Sequence, residues 1–540
     1  MKIIKIFLGF VLIILISKQP LSAQTGKLAQ EAEQTMLRAT QFMVEKASMN
    51  GGYVWYYLPD FSRQWGEMEA YKTMVWLQHP GTVSMGHLFL DAYHATGNEY
   101  YYQAAAKACA AIIWGQSHEG GWNYMIDFAG DRSFKQWYNT IGKNGWRLEE
   151  FQHYYGNSTF DDDVTSDAAR FLLRMYLEKM DQSYKPALDK AISFIMESQY
   201  PLGGWPQRYP LKYDFNKQGH PDYTSFYTFN DDVIWENTHF LIQCYLALGE
   251  ERFLDPIRRG MNFYLTSQDE CGAWGQQLTM NLETAGARTY EPAAFLPGTT
   301  CENALLLLKF YQYTGDKKFL IKVPYAIRWL EETKLPKDKT DGDRTHPTFV
   351  EVGTNKPVYV HRKGSNVKFG SYYLDYNDDK LLGHYSGKRV IPLEELKAEY
   401  KRLSALSTDE VTKDSPLKAD SFRGIGTPQR FYDLNRDAFL GTATESEVKE
   451  IIKSLDNQNR WLVKHAMISN PYIGDGQKQE PTDKYASTRV GDETDTSPYP
   501  DPTDQEYIST SEYLKNINLL ISYIRSSKTT IGDQNALKKQ

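Results

Sequence analysis

Two runs of carboxylates and one arginine carry the chemistry open to this sequence. Thr159-Phe160-Asp161-Asp162-Asp163-Val164-Thr165 sets three acids in a row, and Tyr227-Thr228-Phe229-Asn230-Asp231-Asp232-Val233 sets two, each just upstream of a helical apolar pattern. One Asp suffices to cap a helix, whose first amides favour an anion. The remaining acids are either solvated or held for a hard cation such as Ca2+, which takes oxygen ligands. Neither run fits the twelve-residue EF-hand loop, so a metal site here would be open and completed by water and substrate. Asp161 and Asp231 also have the residue type needed for the acid and base of glycoside hydrolysis. In Ala287-Arg288-Thr289-Tyr290-Glu291-Pro292 a guanidinium stands in a loop. It reads either as surface charge or as a planar fork for the carboxylate of a sugar acid.

The elements that must position these loops form a repeat. In 84–124 an apolar helical pattern breaks at Thr96-Gly97-Asn98, and a second helix leads to Gly120-Gly121-Trp122. The plan returns in 166–207, ending Gly203-Gly204-Trp205, and in 236–277, ending Gly272-Ala273-Trp274. A fourth copy spans 301–332, and a half copy opens the domain with a helix over 27–46 and Gly51-Gly52-Tyr53. Apolar residues at i, i+3, i+4 and i+7, with Gly or Asp/Asn closing the first helix, predict antiparallel helix pairs. The interval from Gly121 to Gly204 exceeds that from Gly204 to Gly272, whereas a solenoid keeps its period more strictly. Regular hairpins with uneven loops predict an α/α toroid, an incomplete ring with its long loops, and its function, gathered at one end.

Composition narrows the partners. The chain has 540 residues, 61 basic against 68 acidic side chains, and a formal net charge of −7. Removal of a leader carrying Lys2, Lys5 and Lys18 would make it more negative still, which argues against nucleic acid. Residues 1–23, with a basic start, the apolar run Ile6 to Ile16 and Leu21-Ser22-Ala23 before Gln24, read as a cleaved signal peptide. The run is too short to span a bilayer comfortably and no second one follows, so the expectation is an exported, secreted or periplasmic protein, acting as a monomer. Aromatic residues reach 14%, which fits either sugar stacking or a packed helical core. Trp205 and Trp274 are the stacking candidates, and Trp122 reads as filler at the end of the ring. His153, His239 and His384 have no metal-ligand spacing and read as structural. The four cysteines, Cys109, Cys244, Cys271 and Cys301, contain no CxxC pair; a Cys271–Cys301 disulfide and buried free thiols both remain open.

The series Gly203-Gly204-Trp205-Pro206-Gln207-Arg208-Tyr209-Pro210, Thr228-Phe229-Asn230-Asp231-Asp232, Trp274-Gly275-Gln276-Gln277 and Ala287-Arg288-Thr289-Tyr290-Glu291-Pro292 resembles polysaccharide lyase family 10, pectate lyases with an α/α toroid, over roughly residues 80–385. The resemblance implies Ca2+-dependent anti β-elimination on polygalacturonate or a related acidic polysaccharide. It implies Arg288 as the Brønsted base, Asp161 as the family's acid in the earlier loop, and Asp231 as a calcium ligand with Asp162 beside it. It implies Arg362, in Tyr359-Val360-His361-Arg362-Lys363-Gly364, as a substrate-binding residue; Asn230 in its loop and Trp205 by stacking are expected as further substrate contacts. A second arginine expected downstream is absent; Lys380 stands nearest and is expected to replace it as a substrate-binding residue, keeping the charge but losing the bidentate fork. A hydrolase using an Asp pair and a non-catalytic glycan-binding protein remain the alternatives on this architecture.

Beyond the repeats, 340–400 holds short β-like runs, and 24–400 is expected to form the catalytic domain. Residues 401–540 are expected to form a C-terminal extension, with helices near 445 and 511–525 and an Asp/Thr/Pro-rich loop at 476–506, packed on the toroid.

Overall fold

The expected hairpins form where the apolar spacing puts them. In a computed structural model of the chain, which describes residues 21–212, 222–364, 370–382, 384–418, 434–435, 438–439, 441–470, 482–492, 494–500 and 505–537, the pairs are Thr82–Thr96 with Glu99–Gly115, Val164–Lys179 with Lys185–Glu197, Val233–Leu248 with Leu254–Thr266, and Pro297–Thr314 with Val323–Glu332. Most of the expected leader lies outside the described residues. Gly97, Gly249 and Gly315 end three of the leading helices in the left-handed conformation, which glycine adopts without a Cβ penalty. Met180 does the same job in the second hairpin at φ 51°.

The leading helices line the inside of the ring. Thr82–Thr96 packs on Val164–Lys179, and that helix on Val233–Leu248. Ion pairs buried in this layer, Arg174 with Asp91 and Arg170 with Glu236, bridge successive helices; removing one partner of such a pair leaves an uncompensated buried charge. The result is an α/α toroid with one continuous apolar core running from Leu28 to Ile524.

The join between hairpins explains the Gly-Gly-Trp signature. Gly203 has φ +110°, and a Cβ there would lie 2.0 Å from the Arg259 carbonyl oxygen of the next hairpin. Gln199 Nε2 donates at 2.9 Å both to the Gly203 carbonyl and to Pro256, and Gln116 and Gln268 bridge the equivalent joints. Trp205 then fills the joint. It is wholly buried, and its indole N–H donates to Ile195 O at 2.8 Å. The expectation that Trp205 stacks on substrate is therefore corrected: no face of it reaches solvent, and Trp122 and Trp274 are equally buried.

Among the described residues after 441, Ala443, Val448, Ile451, Trp461 and Ile517 belong to the same core. The final helix Thr510–Leu537 packs against both Leu21–Phe42 and Thr82–Thr96, with a 2.6 Å hydrogen bond between Tyr513 and Thr40 hydroxyls. Strand Tyr507–Ser509 pairs antiparallel with Tyr56–Tyr57. The C-terminal region thus supplies part of the ring wall rather than an appendage, and residues 476–481, 493 and 501–504 of its expected loop lie outside the described residues. All four cysteines are free thiols. Among the described residues no helix is long and apolar enough to cross a membrane. At one mouth of the ring, an antiparallel sheet orders Ala294–Phe295, Phe349–Glu351, Pro357–Lys363 and Ser371–Asp375, with Arg362 opposite Tyr372.

Candidate active site

The two acidic runs fold into the same turn. Phe160 N–H donates to Gln207 O and Phe229 N–H to Gln276 O, both at 2.8 Å, so each turn hangs from the loop that follows the next Gly-Gly-Trp or Gly-Ala-Trp joint. Asp162 and Asp163 have φ of 47° and 59°, and Asp231 and Asp232 have 48° and 55°. Two successive left-handed residues with side chains cost on the order of 1–2 kcal/mol each, and such strain collects at functional sites. The distortion has a local consequence. Asp163 and Asp232, at the N-cap positions, make no capping hydrogen bond, so capping does not account for the runs. The turns lie against each other.

Their carboxyls pool. Asp161, 5% exposed, accepts a hydrogen bond from the Tyr124 hydroxyl, and its Oδ1 is buried with no donor. Beyond the effect of burial, the charge of Asp161 is close enough to raise the Asp231 carboxyl, and a cation held between such acids relieves their repulsion. Gln78 Nε2 donates to Asp162 at 2.7 Å and to Glu67 at 3.1 Å. Asp162 and Asp231 reach solvent, but they do so inside a cleft. Loss of water there and the surrounding acids push both carboxyls well above the usual carboxylate range. Burial and then Asp161 raise Glu67, against the pull of Gln78 and Arg288. Burial pushes Glu150 up to about 8, the nearby Arg288 only partly offsetting it.

Arg288 stands over this pool. Its Nε and one terminal nitrogen grip Glu291 at 2.8 and 2.9 Å, its second terminal nitrogen reaches Glu150 at 3.4 Å, and Tyr385 Oη lies 3.0 Å away. Burial alone would depress its proton affinity, but Glu291, the flanking tyrosines Tyr290 and Tyr385, and Glu150 carry it well above the ordinary guanidinium value. Behind it, His384 Nδ1 accepts from Arg147 at 2.7 Å. Burial and the charges of Arg288, Arg147, Arg489 and Arg389 hold that imidazole neutral, down to about 2. Two cavities flank the Arg288–Tyr385 contact. One, about 540 Å³, is walled by Ala287, Thr289, Tyr290 and Tyr372; the other, about 240 Å³, by Asn230, Gln276, Tyr385 and Arg389.

Arg288, Asp161, Asp162, Asp231 and Asn230 are thus brought to one cleft. Arg362 is not free for substrate. It is 5% exposed, its guanidinium stacks 3.9 Å over Trp146, and it donates to the Tyr485 carbonyl and, at 3.1 Å, to that of Val490. Lys380 is exposed on its loop at φ 54°, with no ion pair or hydrogen bond tying it to the cluster among the described residues. Sequence reasoning missed Glu67, Gln78, Tyr124, Glu150 and Tyr385, and it set His384 aside as structural. Glu291 stood in the quoted motif without a role.

The oxygen-rich pool, with more carboxylate oxygens than N–H donors, fits a hard divalent cation. Among the described residues no three His, Cys, Asp or Glu side chains converge as a preformed cage, so any such site is open, as the turn spacing implies.

A ring of helix hairpins whose loops gather acids and an arginine at one mouth defines an α/α-toroid enzyme. Residues 127–400, just over half of the chain, match the pectic acid lyase family; the chain belongs to that family and is a polysaccharide lyase. Among solved structures, a mutant of the family 10 polysaccharide lyase from Cellvibrio cellulosa in complex with trigalacturonic acid is similar at 18% identity over 51% of this chain and 86% of that one, with a TM-score of 0.35. Cellobiose 2-epimerase from Spirochaeta thermophila is similar at 11% identity over 95% and 99% of the two chains, with a TM-score of 0.40. No curated protein matches the chain.

Proposed function

We propose that this enzyme is an exported, calcium-dependent pectate lyase that cleaves polygalacturonate by anti β-elimination, with Arg288 as the Brønsted base. The observation that carries the proposal is the meeting of Arg288 with both strained aspartate turns in a single cleft, with open space on either side for a polymer. Asp162 and Asp231, with Asp161 beside them, would hold Ca2+, which neutralises a uronate carboxylate and makes the hydrogen on the adjoining carbon easier to remove.

The chain's residues then do the rest. A guanidine nitrogen of Arg288 takes that proton, the electron pair becomes a carbon–carbon double bond, and the glycosidic bond at the β carbon breaks toward the leaving oxygen, which takes a proton from water. Glu291 aims the guanidinium through two parallel hydrogen bonds, a geometry that only a planar fork offers. The same carboxylate keeps Arg288 protonated when the cleft is empty, so turnover should climb with pH. Anion recognition by an acid-rich cleft depends on cationic groups at its edges, and Arg389 at the smaller cavity supplies one.

Incubation with polygalacturonate should release unsaturated, ultraviolet-absorbing products, and a chelator should stop their release. Saturated reducing ends that form without a divalent ion would instead support hydrolysis by Asp161 and Asp231.

A further inference from the structure

Residues 482–492 and 494–497 lie beyond the part of the chain that matches the lyase family, yet they are fastened to the cleft. Buried Asp495 accepts from the backbone N–H groups of Ser497 at 2.9 Å, Gly491 at 3.0 Å and Trp146 at 3.4 Å. Thr496 N–H donates to Asn144 O at 3.1 Å. Two arginines of the catalytic half then hold the strap by its carbonyls: Arg147 Nε on Arg489 O at 3.0 Å and Arg362 on Val490 O at 3.1 Å. Charged side chains spent on backbone carbonyls are costly to bury and fix the strap's course.

What the strap presents is Arg489. Its side chain is exposed and, among the described residues, makes no ion pair. Its charge is close enough to help depress both Arg147, after burial, and His384. His384 lies edge-on to Tyr385, ring centroids 4.4 Å apart, and Tyr385 touches Arg288. Arg147, Arg288, Arg389 and Arg489 thus surround one imidazole in a protein whose net charge is negative. Glu291 and Glu150 answer the charge of Arg288, but no carboxylate among the described residues pairs with Arg489, and an anionic ligand there relieves its repulsion with the other arginines.

We propose that Arg489, carried to the cleft by the C-terminal strap 482–492, is a substrate-binding residue that takes the carboxylate of a uronate unit beside the one being cleaved. The proposal rests on the pectate lyase reading. It also gives Arg362 a different duty from the one the resemblance implies. Arg362 and Arg147 are positioning residues for the strap, and the strap supplies the guanidinium that meets the polymer.

The test measures steady-state kinetics on polygalacturonate, together with retardation of the protein in gels that contain the polymer. Arg489→Ala should raise KM about tenfold, the loss of one charge-assisted hydrogen bond, with kcat held within about twofold. Arg489→Lys should recover part of that loss, and the effect should shrink at high salt. Arg362→Ala should raise KM by a similar factor and open the strap to protease. A wild-type KM and wild-type gel retardation in Arg489→Ala would overturn the inference while leaving the lyase reading intact. If the wild-type enzyme cleaves no uronate polymer, the lyase reading fails, and gel retardation alone still decides whether Arg489 binds the polyanion.

Discussion

Glu291 offers a way to ask whether Arg288 acts as a base or only as a clamp. Glu291→Gln keeps a side chain of the same length that can still accept a hydrogen bond from the guanidinium, but it removes the negative charge. Two unit charges about 4 Å apart interact by about 4 kcal/mol at an effective dielectric of about 20, equivalent to about 3 pKa units. Glu150 and Tyr385 remain beside Arg288, and its side chain is 14% exposed, so about 1–2 units is the reasonable expectation. A carboxylate stabilises the protonated guanidinium, so its removal lowers the proton affinity of Arg288. The limb of the kcat–pH profile that rises with pH should then move toward acid by about 1–2 units, a profile that reports groups in the enzyme–substrate complex. A limb that stays in place while kcat falls would refute the reasoning and leave Arg288 as a charged substrate clamp.

The carboxyl pool predicts how stability follows pH. Glu150, at about 8 in the folded protein, lies above its ordinary value, so its contribution is complete below about pH 4.5 and is lost as pH rises toward 8. Without divalent ions, thermal scans should therefore show the unfolding temperature falling across that window, and Ca2+ should stabilise most at its alkaline end; a calcium shift that does not depend on pH would count against the pool. Asp231→Asn should lower kcat/KM on polygalacturonate by at least tenfold and reduce the calcium-induced rise in unfolding temperature, since a bound ligand stabilises in proportion to the logarithm of its saturation. Trp205→Ala should cost about 3–5 kcal/mol in denaturant unfolding, whereas Trp205→Phe should leave KM within about twofold, because Trp205 is core; a selective rise in KM would return it to the substrate.

Local rules exposed the scaffold because each hairpin is built from contacts near in sequence. Helical apolar spacing, the Gly97, Gly249 and Gly315 stops and the Gly203-Gly204-Trp205 joint all announce themselves within a few residues. The same text could not say which way Trp205 faces, since a ring-end plug and a sugar platform share the motif. The two aspartate runs were visible as excess acid before a helix. Their double left-handed kink was not, because it depends on Gln207 and Gln276 gripping the turns from other loops. Glu67 and Glu150 sit in irregular segments without periodicity and become part of the site only through approaches across the fold. Arg362 was misjudged for a similar reason: its partners lie more than a hundred residues downstream. The final helix was expected near its place, but its seat between the first two ring helices comes from long-range packing.

Purified protein is given polygalacturonate at alkaline pH, with calcium or with a chelator, beside the Arg288→Ala variant, and the products are read by ultraviolet absorbance and mass. The products should carry a new carbon–carbon double bond at their non-reducing ends, formed only with calcium and at least a thousandfold more slowly in the variant, about 4 kcal/mol of transition-state stabilisation. Products one water heavier and saturated, or unsaturated products formed at an undiminished rate without Arg288, would contradict the proposed elimination by Arg288.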